Sequence, residues 1–146
     1  MDLKELYSQI ITENSRSSRH RHPVPGATHA LEGVNPSCGD DITLQLRVED
    51  GIVKDAGFIG TGCAISQASA SLMIDDILGK SEAEARRLIA LFFAMIKGEA
   101  KDDELDDLED AAALHGVSHT PARVKCAVLA WHTLEEALDG KTAKEY

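Results

Sequence analysis

The chain has 146 residues, of which 43% are hydrophobic and 27% charged, proportions expected of one soluble domain over residues 1–146 and too few residues for two large ones. Lys and Arg number 15 against 25 Asp and Glu, a formal charge of −10, which opposes any function built on neutralising nucleic-acid phosphates. No apolar run approaches the roughly 20 residues of a bilayer span, and Met1 opens onto Asp2, Lys4 and Glu5 instead of a basic-then-apolar leader, so a cytoplasmic protein with neither nucleic-acid nor membrane partners is expected.

Leu3, Leu6, Ile10 and Ile11 fall at helical spacing and predict an amphipathic helix over residues 2 to about 14. Arg16 to His22 follow as a basic loop, either solvated or a complement to an acidic partner, and Pro23, Pro25 and Gly26 close it. An extended segment around Thr28 to Glu32 leads to the turn signal Asn35-Pro36. Ile42, Leu44, Leu46 and Val48 alternate with polar residues as in a half-buried strand. Asp50-Gly51 is a two-residue hairpin turn, and Ile52 to Phe58 return as the partner strand, which completes a three-stranded antiparallel meander.

The composition then becomes helical. Ala64 to Leu78 form a helix ended by Gly79, and Ser81 with Glu84 makes a capping box for a third helix that runs to about Lys97 and stops at Gly98. Glu99 to Asp110 hold eight acids and one lysine and are expected as a solvated loop and helix start, with Leu105, Leu108, Ala111 and Ala112 turned inward. A last helix begins near Pro121 and presents Val124, Val128, Trp131, Leu134 and Leu138 on one broad face; the rest is tail. The fold class is α+β, a three-stranded antiparallel sheet packed against helices.

Three cysteines cannot all pair within one chain, and a chain of this size needs no disulfide staples, so they are ligands or reactive thiols, or else small buried hydrophobes. Cys38 sits in a Pro/Gly loop that is expected to be exposed, with Asp40 two positions on. Cys63 follows Gly60-Thr61-Gly62 at a strand-to-helix junction, where the positive helix end lowers a thiol pKa. Cys126 follows Arg123 and Lys125 near a helix start, and those cations also favour thiolate. Three thiolates and one carboxylate would suit Zn²⁺ or an iron–sulfur cluster, although no pair forms a CxxC and the spacing alone leaves a metal undecided. The six histidines, His20, His22, His29, His115, His119 and His132, are expected to be surface or satisfied residues and not ligands.

The pieces NPSCGD (Asn35 to Asp40), GTGCAIS (Gly60 to Ser66) followed by QASAS, and RVKCAVLAW (Arg123 to Trp131) resemble the IscU/NifU-like family of iron–sulfur assembly proteins, and within it the SufU branch. The resemblance runs from the first helix to Trp131. Scaffold members carry a histidine immediately before the third cysteine and a Pro-Pro-Val-Lys motif upstream of it; this chain has Lys125 at the former position and lacks the latter. It also has a longer stretch between the second and third cysteines, as SufU proteins do.

The resemblance implies that Cys38, Asp40, Cys63 and Cys126 hold Zn²⁺. It also implies that the chain accepts persulfide sulfur from a pyridoxal-phosphate cysteine desulfurase of the SufS kind and passes it to downstream Suf cluster-assembly proteins. Cys38 would be the sulfur acceptor, freed when a desulfurase histidine takes its place on the metal, and Arg123 would pair with the partner or orient the freed thiolate. The alternatives are a scaffold that assembles a [2Fe–2S] cluster on the same residues, and a docking protein whose zinc is purely structural.

Overall fold

The computed structural model describes residues 2–140 and 144–145. In chain order it contains α1 (Leu3–Arg16), β1 (His29–Asn35), β2 (Asp40–Glu49), β3 (Ile52–Thr61), α2 (Ala64–Ile77), α3 (Glu82–Ile96), a 3-10 segment (Glu104–Val117), α4 (Pro121–Leu138) and β4 (Lys144–Glu145). No helix among the described residues is long and apolar enough to cross a membrane.

The expected meander is present: β2 pairs antiparallel with both β1 and β3. Its Asp50-Gly51 turn places both residues at positive φ, 54° and 74°, the twist that lets a two-residue loop match the twist of its strands. Where a tail was expected, β4 adds two residues parallel to β1, opposite Gly33 and Val34. Parity along β2 sends Ile42, Leu44 and Leu46 into the core, as the alternation predicts.

Helices cover that face. Trp131 of α4 stacks on Phe92 of α3 with ring centroids 4.2 Å apart, and its indole N–H donates to Ser69 Oγ at 3.0 Å. Ser69 in turn donates to the Ala127 carbonyl at 2.6 Å, so the polar groups between α2 and α4 are satisfied without water. The buried stripe of α4 is rotated from the expected one: Ala127, Ala130, Trp131, Leu134 and Ala137 are buried, while Val124, Val128 and Leu138 lie at its border. Small residues face inward because α4 packs against both β1 and α2, and close approach needs them there.

Two further segments carry features beyond those expected. The basic loop is exposed at Arg16, Ser18, Arg19 and Arg21, as a solvated loop would be, yet it is tied to the domain. Arg19 and His20 both pair with Asp75 of α2, His20 Nε2 at 2.7 Å, and the Arg21 guanidinium lies over the Phe58 ring at 5.9 Å. The acidic stretch continues into the 3-10 segment and buries Leu108, Ala111 and Leu114, with a break at Glu109, whose φ of 51° is left-handed.

Ser81 caps α3 by accepting from the Glu84 N–H at 3.1 Å, but only half of the expected box forms. The Glu84 side chain turns to Arg87 instead, whose guanidinium holds the carboxyl below its ordinary pKa. Ser81→Ala is therefore expected to cost about 1 kcal/mol, read as a lower urea midpoint with an unchanged slope.

Candidate metal centre

The Pro36–Gly39 loop joins β1 to β2, closed where Asn35 and Asp40 face each other as register partners. The Cys38 N–H donates to the Asn35 carbonyl at 3.2 Å, and Gly39 at φ 69° completes the reversal. Cys38 is left half-buried at the tip. Asp40 does not share the exposure expected of this loop: as the first residue of β2 it is 0% exposed.

The β3 to α2 junction approaches Asp40 from the other side. Gly60 has φ 126°, and a side chain there would strike the Asp41 carbonyl at 2.1 Å, so glycine is what lets β3 end against β2. A Cβ on Gly62 would meet Ser66 Oγ at 2.4 Å and Asp40 Oδ1 at 3.1 Å. Cys63 is the N-cap of α2: its N–H donates to Asp40 Oδ1 at 2.8 Å, and its sulfur accepts from the Ser66 N–H at 3.4 Å. The same sulfur lies 3.9 Å from Asp40 Oδ2.

Cys126, on the second turn of α4, is 4% exposed and places its Sγ 2.9 Å from that of Cys38. One ligand atom from each of Cys38, Asp40 and Cys126 lies within 4.8 Å of the others. A loop tip, a strand start and a helix thus converge on one point, with the Cys63 sulfur beside it against Asp40. Of the four residues singled out as ligands, three form the tight group and the fourth borders it.

Burial pushes the Cys126 thiol pKa up, reinforced by its contacts with the Cys38 and Cys63 thiols and by the charges of Cys63 and Asp40. The expectation that Arg123 and Lys125 would favour thiolate at Cys126 is overturned. Both are exposed on the outer face of α4, and burial of Cys126 on the inner face outweighs their charge.

Among the described residues the group has no paired cation. Asp40 is fully buried, and among the described residues no Lys, Arg or His forms an ion pair with it. A buried carboxylate is costly unless a cation or several donors meet it. Sulfurs and a carboxylate around one point, with no basic side chain, have the donor chemistry of a site for a thiophilic divalent ion.

Arg123 is not part of this cluster. It stands exposed in the first turn of α4, on the wall of a groove of about 530 Å³ lined also by Leu3, Tyr7, Ile65 and Val117. Asn35, which begins the Asn35-Pro36 turn signal, is a further polar residue beside the group. The structure buries it completely, and its parity with Leu31 and Gly33 along β1 was the signal available.

Residues 6–145 match the NifU-like N terminal domain. The chain belongs to this family. Among its relatives, the iron–sulfur cluster assembly scaffold protein IscU of Thermotoga maritima is 47% identical over 138 residues, 94% of this chain and 96% of its own. The zinc-dependent sulfurtransferase SufU of Bacillus subtilis is 41% identical over 137 residues, 94% and 92% of the two chains. A crystal structure of a putative iron–sulfur cluster assembly scaffold protein for the SUF system from Fervidobacterium islandicum AW-1 superposes with a TM-score of 0.85 at 36% identity, covering 94% of this chain and 99% of that one. The meander with its covering helices is therefore the IscU/SufU form of the NifU-like fold.

Proposed function

We propose that the chain is a zinc-dependent sulfurtransferase that accepts persulfide sulfur from a SufS-type cysteine desulfurase and delivers it for iron–sulfur cluster assembly. The observation that carries this reading is the buried Asp40 carboxylate set against two adjacent sulfurs with no basic side chain paired to it. The ligands are Cys38, Asp40, Cys63 and Cys126. Zinc, when bound, keeps those sulfurs deprotonated and ties the β1–β2 loop to the starts of α2 and α4.

Cys38 is the acceptor, because its loop tip is accessible while Cys126 is enclosed and Cys63 is held as a helix cap. Its thiolate attacks the outer sulfur of the desulfurase persulfide. A new S–S bond to Cys38 forms as the donor's S–S bond breaks, the desulfurase cysteine leaves as thiolate, and no oxidant is required. Arg123, exposed beside the groove, pairs with the partner or orients the freed thiolate. Downstream Suf assembly proteins would receive the sulfur.

One observation favours a second reading: the Thermotoga relative at 47% identity is named a scaffold, so a [2Fe–2S] cluster could be built on the same residues. Lys125, where scaffold members have histidine, favours transfer. Metal analysis decides between the two. Protein purified without oxygen or added metal is expected to carry about one zinc per chain and no acid-labile sulfide, as suits a closed thiolate site. Iron with matching sulfide would replace the transferase reading by the scaffold one.

A further inference from the structure

Asn35 is the most completely buried amide near the centre, and it is not satisfied. It is 0% exposed, and neither Nδ2 nor Oδ1 has a hydrogen-bond partner. Leaving an amide unpaired in the interior costs several kcal/mol on apolar reference scales, so the working protein should supply a partner.

The sheet shows where that partner lies. Leu31, Gly33 and Asn35 share the buried face of β1. A side chain on Gly33 would meet Thr133 and Leu129 of α4 at 2.1 and 3.3 Å, so this face packs directly on α4. Two residues further along the strand, Asn35 lies level with the loop that carries Cys38 and directly opposite Asp40, whose side chain is on the same face of the pair. Its backbone carbonyl already holds the Cys38 N–H at 3.2 Å. The amide thus sits at the root of the loop that Cys38 must use.

We infer that Asn35 is a positioning residue of the metal centre, its Nδ2–H donating to the Asp40 carboxylate once Asp40 serves as a ligand. This inference rests on the metal reading above. Outer partners of this kind orient a ligand and reduce the freedom of the site, and their removal typically weakens metal affinity 10- to 100-fold. Of Asp40's two oxygens, Oδ1 accepts the Cys63 N–H at 2.8 Å while Oδ2 has only the weak 3.9 Å contact with the Cys63 sulfur, which leaves Oδ2 able to accept from an amide.

The test is to titrate zinc against a chelator in wild type, Asn35→Leu and Asn35→Ala, and to record the thermal midpoint of each metal-free protein. Leu keeps the branching of Asn and removes an unsatisfied polar group, so metal-free Asn35→Leu should remain folded and melt cooperatively. Its zinc affinity should nevertheless fall 10- to 100-fold, and in the cobalt-loaded form the visible ligand-field bands should shift as Asp40 loses its fixed orientation. Asn35→Ala should show the same loss of affinity, which separates the missing donor from the shape of Leu. Wild-type zinc affinity and an unshifted cobalt spectrum in both variants would overturn this inference and leave the metal reading standing. A wild-type chain that binds neither zinc nor cobalt would overturn both together.

Discussion

Cys38→Ala is expected to abolish sulfur uptake from a desulfurase persulfide while the protein remains folded. The loop that carries Cys38 is closed by backbone: the residue 38 N–H to the Asn35 carbonyl, the Asn35 and Asp40 register pair, and the positive φ of Gly39. None of these needs the sulfur. The half-buried side chain packs outside the main apolar cluster, so truncation removes little buried area. What disappears is the sulfur at the tip of the β1–β2 loop, whereas Cys63 is committed to capping α2 and Cys126 is enclosed. With the nucleophile gone, the transfer rate should drop to below roughly a thousandth of wild type. The readout is one added sulfur atom per chain by mass spectrometry after incubation with desulfurase and cysteine, with circular dichroism as the control on folding. Undiminished uptake by a folded Cys38→Ala chain would remove Cys38 as acceptor.

Short-range chemistry was legible in the sequence, and long-range electrostatics was not. The Asp50-Gly51 turn, the Ser81 cap, Pro121 at the start of α4 and the alternation of β2 each depend on residues within a few positions of one another. The convergence of Cys38, Asp40 and Cys126 was also anticipated, because each stood next to a chain reversal or helix start. Three features escaped. Arg19 and His20 pair with an aspartate more than fifty residues away, and no local pattern separates such a pair from a solvated loop. The proton affinity of Cys126 depends on which face of α4 is buried, and the stripe lies rotated from the one inferred from Val124 and Val128. The 3-10 segment breaks at Glu109, a residue type that does not announce a left-handed backbone as glycine or asparagine would.

Asp76→Asn should stabilise the protein in alkaline solution and do little in acid. Asp76, in the last turn of α2, is 4% exposed, and its Oδ2 has no hydrogen-bond partner. Burial, then the charges of Glu109, Asp75 and Asp110, push its pKa up to about 8, with Lys80 opposing. A carboxyl whose folded pKa lies above its unfolded one binds its proton more tightly when folded. Stability from this group is therefore complete below the ordinary pKa near 3.8 and is lost as pH rises towards about 8, above which folding must bury a charge. The amide copies the protonated acid without a charge to bury. Wild type and Asp76→Asn should agree within about 1 kcal/mol at pH 4 and diverge from there, the variant gaining on the order of 5 kcal/mol by pH 9. Urea unfolding of both metal-free proteins across that range gives the difference directly. A constant gap between the two curves would show that the Asp76 pKa is the same folded as unfolded, against the upward push of burial and of its acidic neighbours.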